Sequence, residues 1–94
     1  MAKKSDGVYA IAVLDRGFVY VGLVDIYMSD LGTEWIVIRD ARNIRRWGTT
    51  RGLGQLALEG PTSATTLDPV GVVRAPARSL VSILETEERL WNRS

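Results

Sequence analysis

Val8-Tyr9-Ala10-Ile11-Ala12-Val13-Leu14, then Asp15-Arg16-Gly17, then Phe18-Val19-Tyr20-Val21-Gly22-Leu23-Val24-Asp25-Ile26-Tyr27-Met28 is the stretch that decides the fold. Two runs rich in β-branched and aromatic residues flank a three-residue turn with glycine where a positive φ is wanted, which predicts a β-hairpin. The second strand is apolar on both faces. Phe18, Tyr20, Val24 and Ile26 share one face; Val19, Val21 and Leu23 share the other. A hairpin strand with one wet face alternates instead. This strand predicts burial from both sides, inside a closed barrel or against a neighbouring subunit. Gly22 suits a bend in it.

Outward from the hairpin, Ser29-Asp30-Leu31-Gly32 predicts a turn and Thr33 to Trp47 a long extended segment. Asp40-Ala41 breaks its alternation and predicts a bulge, beyond which the facing of Arg42, Arg45 and Arg46 stays open. Leu53 to Glu59 predicts a short helix with Leu53, Leu56 and Ala57 on one face, capped by Thr49 or Thr50 and ended by Gly60-Pro61. Thr62 to Thr66 reads as a polar loop, and Leu67-Asp68-Pro69 as a turn. Val70 to Ala75 and Arg78 to Leu84 read as strands parted by Pro76. Thr86 is placed to cap a closing helical turn that starts with Glu87 and Glu88. The expected fold is mainly β (α+β): a small twisted sheet or an SH3-like partly closed barrel of about five strands, with one short central helix and a C-terminal helical turn. Residues 1–7 are expected to form a flexible N-terminal tail, and residues 8–94 a single β-rich domain.

The chain has 94 residues, enough for one domain. A domain of this size buries only about 60–65% of its unfolded surface. With no cysteine to form disulfides, self-association is the remaining common route to further burial. The absence of histidine and cysteine removes Ser-His-Asp triads, Cys-His pairs and imidazole or thiolate metal ligands. Lys3 and Lys4 are the only lysines and lie in the expected tail. Asp25, Asp30 and Glu34 are the candidates for carboxylate chemistry, and read better as surface acids that keep a hairpin soluble. A non-enzymatic protein without metal or cofactor is expected. Asp15 and Arg16 cut the Val8–Leu14 run short, no cleavage site follows, and no apolar run reaches membrane-span length. A cytoplasmic protein away from the membrane is expected.

The formal net charge is +1, but it is focused. Arg39 to Arg51 holds five arginines and one acid, a local charge of +4, between two acidic flanks. The segment Arg42-Asn43-Ile44-Arg45-Arg46-Trp47-Gly48-Thr49-Thr50-Arg51-Gly52 sets guanidinium groups beside an indole, just before a helix start. Arginine forks match phosphate and carboxylate oxygens. Helix-start amides add donors, and an indole gives a base a face to stack on. The candidate ligand-binding residues are Arg42, Arg45, Arg46 and Arg51 for phosphates, Thr49, Thr50 and Gly52 as donors, and Trp47 or Tyr27 for stacking. The Thr62–Thr66 loop is a candidate lid. Gly48, Gly52 and Gly54 match neither a dinucleotide fingerprint nor a Walker loop. The small overall charge argues against a general nucleic-acid binder.

Ala41-Arg42-x-Ile44-x-x-Trp47, a short gap, Leu53-x-Gln55-Leu56-Ala57-x-Glu59-Gly60, and a strand ending Ile83-x-x-Thr86-x-Glu88 resemble a family of short phage and prophage proteins catalogued as a domain of unknown function. The resemblance runs through roughly residues 8–91. It implies a phage-encoded protein that acts in the cytoplasm of the infected host cell or is built into the virion. By analogy with small phage inhibitors of host defence, the expected function is a homo-oligomeric sponge that sequesters a phosphorylated nucleotide-type signal, a cyclic nucleotide or an ADP-ribose derivative. The alternatives are a virion or assembly component, or an inhibitor docking on a host defence nuclease.

Overall fold

The computed structural model describes the backbone of residues 2–3 and all of residues 7–92. The elements in chain order are β1 (Ala2–Lys3), β2 (Val8–Leu14), β3 (Val19–Met28), β4 (Glu34–Arg46), α1 (Leu53–Glu59), β5 (Thr66–Pro76), β6 (Leu80–Glu85) and α2 (Glu88–Trp91). Five strands form an antiparallel open sheet in the order β5-β4-β3-β2-β6. Ala2 and Lys3, in the segment read as a tail, lie opposite Met28 and Tyr27 at the end of β3. Residues 1 and 4–6 of that segment lie outside the described residues, as do residues 93–94.

The sheet is mainly β as expected, and it is curled. β5 and β6 form its two edges, yet only the turn Ala77–Ser79 joins them. Four inter-strand spacings would hold the edges of a flat sheet about 19 Å apart. The four backbone steps from Pro76 to Leu80 reach at most about 14 Å. The sheet therefore rolls, and one face becomes an inside. Ala10, Ala12, Val24, Ile38 and Ala41 pack there, next to Leu14, Ile36 and Ala75. Alanines at 10, 12, 41 and 75 alternate there with larger aliphatic side chains. A Cβ on Gly22 would lie 2.7 Å from the Arg39 carbonyl oxygen, so the approach of β3 to β4 requires glycine at that position.

The outer face is covered by the helices. Leu56, Ala57 and Trp91 close over Ile11, Val19, Val21 and Ile44. Most of both faces of β3 is thus buried within one chain, by curl on one side and helices on the other, while Leu23 and the preceding Phe18 stay exposed. This accounts for its two-sided apolar pattern without a neighbouring subunit. The hairpin turns through positive φ at both Arg16 and Gly17. The bulge expected at Asp40-Ala41 is present. Asp40 has φ +51, and both the β3–β4 and β4–β5 registers shift around it.

Two boundaries differ from the sequence reading. Thr66 to Pro69 belongs to β5, where a loop and a turn were expected. Pro69 is tolerated because β5 is an edge strand, so its missing N–H leaves the ladder intact. The last strand starts at Leu80, after a turn that takes in Arg78. Capping also differs. The residue before α1 is Gly52 and the residue before α2 is Glu87, and neither makes a side-chain cap bond. The Thr86 hydroxyl instead donates to the Ala57 carbonyl at 2.5 Å and accepts from Trp91 Nε1 at 3.0 Å. It ties the C-terminal turn to α1.

Candidate functional site at the end of strand β4

The arginine-rich segment runs from β4 through the Trp47–Gly52 loop into α1. Its guanidinium groups do not share one pocket. Arg42 is half-buried and donates to Tyr9 Oη at 3.3 Å and to the Trp91 carbonyl at 3.0 Å. It fastens α2 to the sheet, and Asp40 and Glu88 line the same shallow depression. Arg51 forms an ion pair with Glu59 at the far end of α1. Arg45 pairs with Asp68 of β5 at 2.5 Å. The Arg46 side chain is exposed and makes no hydrogen bond or ion pair among the described residues.

The local backbone explains how Arg45 and Arg46 come together. Ile44 lies opposite Leu67, and Arg46 lies opposite Thr66, so one extra residue is inserted in β4 at Arg45. Such a bulge turns successive side chains toward the same side. Arg45, Arg46 and Thr66 accordingly line one open depression at the strand end. Trp47 follows directly, 43% exposed. A Cβ on Gly52 would lie 3.9 Å from Trp47 Cζ3, so the indole sits over that glycine.

The threonines serve the loop's own backbone. Thr49 Oγ1 donates to the Gly52 carbonyl at 3.1 Å, and Thr50 Oγ1 lies 3.4 Å from Gln55 Oε1. Gln55 Oε1 also accepts the Arg51 N–H at 3.0 Å. The stretch read as a lid is a clasp. Thr62 Oγ1 donates to the Gly48 carbonyl and Thr65 Oγ1 to the Trp47 carbonyl, each at 2.7 Å. Gly48 has φ +68, and a Cβ on it would lie 2.4 Å from the Ala64 carbonyl carbon. The clasp thereby fixes the direction in which the chain leaves Trp47. α1 spans seven residues, about two turns, so its dipole adds little to this end.

Of the eight candidate residues, Arg45, Arg46 and Trp47 form one exposed end. Arg42 and Arg51 are engaged elsewhere, and Thr49, Thr50 and Gly52 shape the connecting loop. Tyr27, the other candidate for stacking, lies opposite Trp35 at the far end of β3. Its Oη accepts from Arg39 at 3.3 Å, and this bond, with the Tyr27 charge and then Asp25, raises the Arg39 pKa above its ordinary value. Asp25 is buried, unlike the exposed Asp30 and Glu34, with Oδ2 3.8 Å from Arg39 Nε. The three acids expected to share a surface are thus parted. No group of three or more His, Cys, Asp or Glu side chains is placed to hold a metal among the described residues. No helix among them is long and apolar enough to cross a membrane.

Sequence reasoning missed Asp68, and it placed Thr66 in a lid loop rather than in the strand that pairs with β4. The Thr-Leu-Asp-Pro run carries a turn signature, and nothing local says that it pairs with β4. No family model, curated protein or solved structure matches this chain.

Proposed function

We propose that this chain is a phage-encoded, non-catalytic protein that sequesters a phosphorylated nucleotide-type signal, a cyclic nucleotide or ADP-ribose derivative, and so counters host antiviral defence. The observation that carries the reading is the exposed guanidinium of Arg46, in a depression shared with Arg45 and Thr66 and next to a half-exposed indole. Arg46 offers a full fork to a phosphate, whereas Arg45 must share its fork with Asp68. Thr66 adds a hydroxyl, and Trp47 a flat apolar surface. The phage origin and the defence context rest on the sequence resemblance.

Self-association in this reading uses the sheet edges, because β3 is covered inside one chain. Val70 and Val72 on β5 and Val81 on β6 are exposed there. The same valines favour the competing reading, a virion component or a protein-directed inhibitor, in which they contact another protein.

The test is native mass spectrometry with a panel of cyclic dinucleotides and ADP-ribose isomers, on the wild type and on Arg46→Ala. Intact ligand held by the wild type and lost in the variant is the expected result. Absence of any bound nucleotide across the panel overturns the reading and favours a protein partner.

A further inference from the structure

The rolled sheet has an inner face whose composition changes from one side to the other. One row of it is fixed by the register across all five strands: Ile83 opposite Ala12, Ala12 opposite Tyr20, Tyr20 opposite Asn43, and Asn43 opposite Asp68. The β6 side of this row is apolar, and the β5 side carries an amide and a carboxylate. The ion pair with Asp68 orients Arg45 to the same side. Phe18 lies one same-face step beyond Tyr20, level with Arg45 when the β3–β4 register is continued. The Phe18 and Tyr20 rings stack, with centroids 6.4 Å apart and 3° between their planes. Tyr20 is wedged against the buried inner clusters, while Phe18 is 50% exposed. The register thus sets a supported aromatic ring, an amide and an arginine–carboxylate pair on neighbouring strands at one end of the curled sheet.

We infer that this corner is a base-binding subsite, in which the planar base of a nucleotide stacks on Phe18 with its edge toward Asn43 and Asp68. The inference rests on the proposed reading of the Arg45–Arg46 end as a phosphate site and names the surface that takes the rest of the ligand. An exposed ring held in a fixed plane loses little freedom when a base covers it. The Asn43 amide offers both a donor and an acceptor, and the Asp68 carboxylate accepts from a ring or exocyclic N–H. Arg45 joins the two halves, since it lines the depression with Arg46 and also pairs with Asp68. The mouth of a curled β structure is a common place for such a site. Trp47, the residue that local sequence favours for stacking, then lies beside the phosphate end rather than under the base.

The experiment is a nuclear magnetic resonance titration of the full chain with adenosine and guanosine 5′-monophosphates, and with inorganic pyrophosphate as the base-free probe. The expected result is that the nucleotides shift the Phe18 and Tyr20 ring signals and the Asn43 side-chain amide. Pyrophosphate should shift the arginine side chains alone. Phe18→Leu and Asn43→Ala, with their folds checked by amide dispersion, should each weaken nucleotide binding, the former about tenfold, and leave pyrophosphate binding unchanged. Nucleotides and pyrophosphate binding alike, with both variants indistinguishable from wild type, overturns the base subsite and leaves the phosphate reading standing. Failure of every probe to bind overturns the phosphate reading and the subsite with it. Ring signals that move with protein concentration alone assign the corner to a contact between copies and overturn the inference.

Discussion

Arg42 and Arg46 stand four residues apart on the same strand and do opposite work. Arg42 is enclosed, with its guanidinium shared between a phenol and a main-chain carbonyl from the two ends of the chain. Arg46 projects from the strand end with no protein partner among the described residues. A run of arginines is therefore not one electrostatic object. Where a helical turn packs over the strand, a guanidinium becomes a multi-donor fastener for backbone that would otherwise be buried without a partner. Where the strand leaves the sheet, the same group stays available to a ligand. The β4 bulge at Arg45 marks the change between the two regimes.

The largest expected effect breaks the enclosed side. Trp91 has no exposed surface and anchors α2 over Ile11, Val19 and Val21. Trp91→Ala should cost about 3–5 kcal/mol of stability in urea unfolding, since the emptied volume cannot close under a single helical turn. Arg42→Ala comes next. It leaves the Trp91 carbonyl and the Tyr9 hydroxyl without their donor and should cost about 1–3 kcal/mol. A midpoint equal to the wild type's would mean that Arg42 is a surface charge after all, and the contrast with Arg46 would collapse. Gly48→Ala is comparable or smaller. Alanine at positive φ, pressed against the Thr62–Thr65 clasp, should cost about 1–3 kcal/mol and broaden the Trp47 indole signal.

The hairpin was legible in the sequence because alternation and a glycine turn are local signals. So were the bulge at Asp40, where alternation fails, and α1, where Leu53, Leu56 and Ala57 recur at helical spacing. The start of β5 was not legible, because Asp68-Pro69 carries turn chemistry and only its edge position makes it a strand. The state of each arginine was not legible either. Arg42 finds its partners 33 and 49 residues away, and Arg45 finds Asp68 across a strand pair. Phe18 and Tyr20 could be assigned to one face from parity alone. That this face is an inside, with an open corner, follows from the short Ala77–Ser79 connection and from the strand order, which no local pattern encodes.

The smallest stability effects fall on the open side and are the sharpest test of the contrast. The Arg51–Glu59 pair is exposed at both members, so Arg51→Ala should cost less than about 1 kcal/mol, and less again at high salt. Arg46→Ala should shift the unfolding midpoint least of all, within about 0.5 kcal/mol, because no protein group loses a partner. A larger loss would place Arg46 in the structural class with Arg42. Binding of the proposed ligand should reverse the order. Removing a free guanidinium from a phosphate site deletes a charge-assisted bond worth about 1.5–3 kcal/mol, roughly a ten- to hundredfold loss of affinity. Arg46→Lys separates charge from geometry. A lysine keeps the positive charge but not the planar fork, so it should recover only part of the affinity if the phosphate is held bidentately. Full recovery would reduce the site to a point charge and leave discrimination to the aromatic corner.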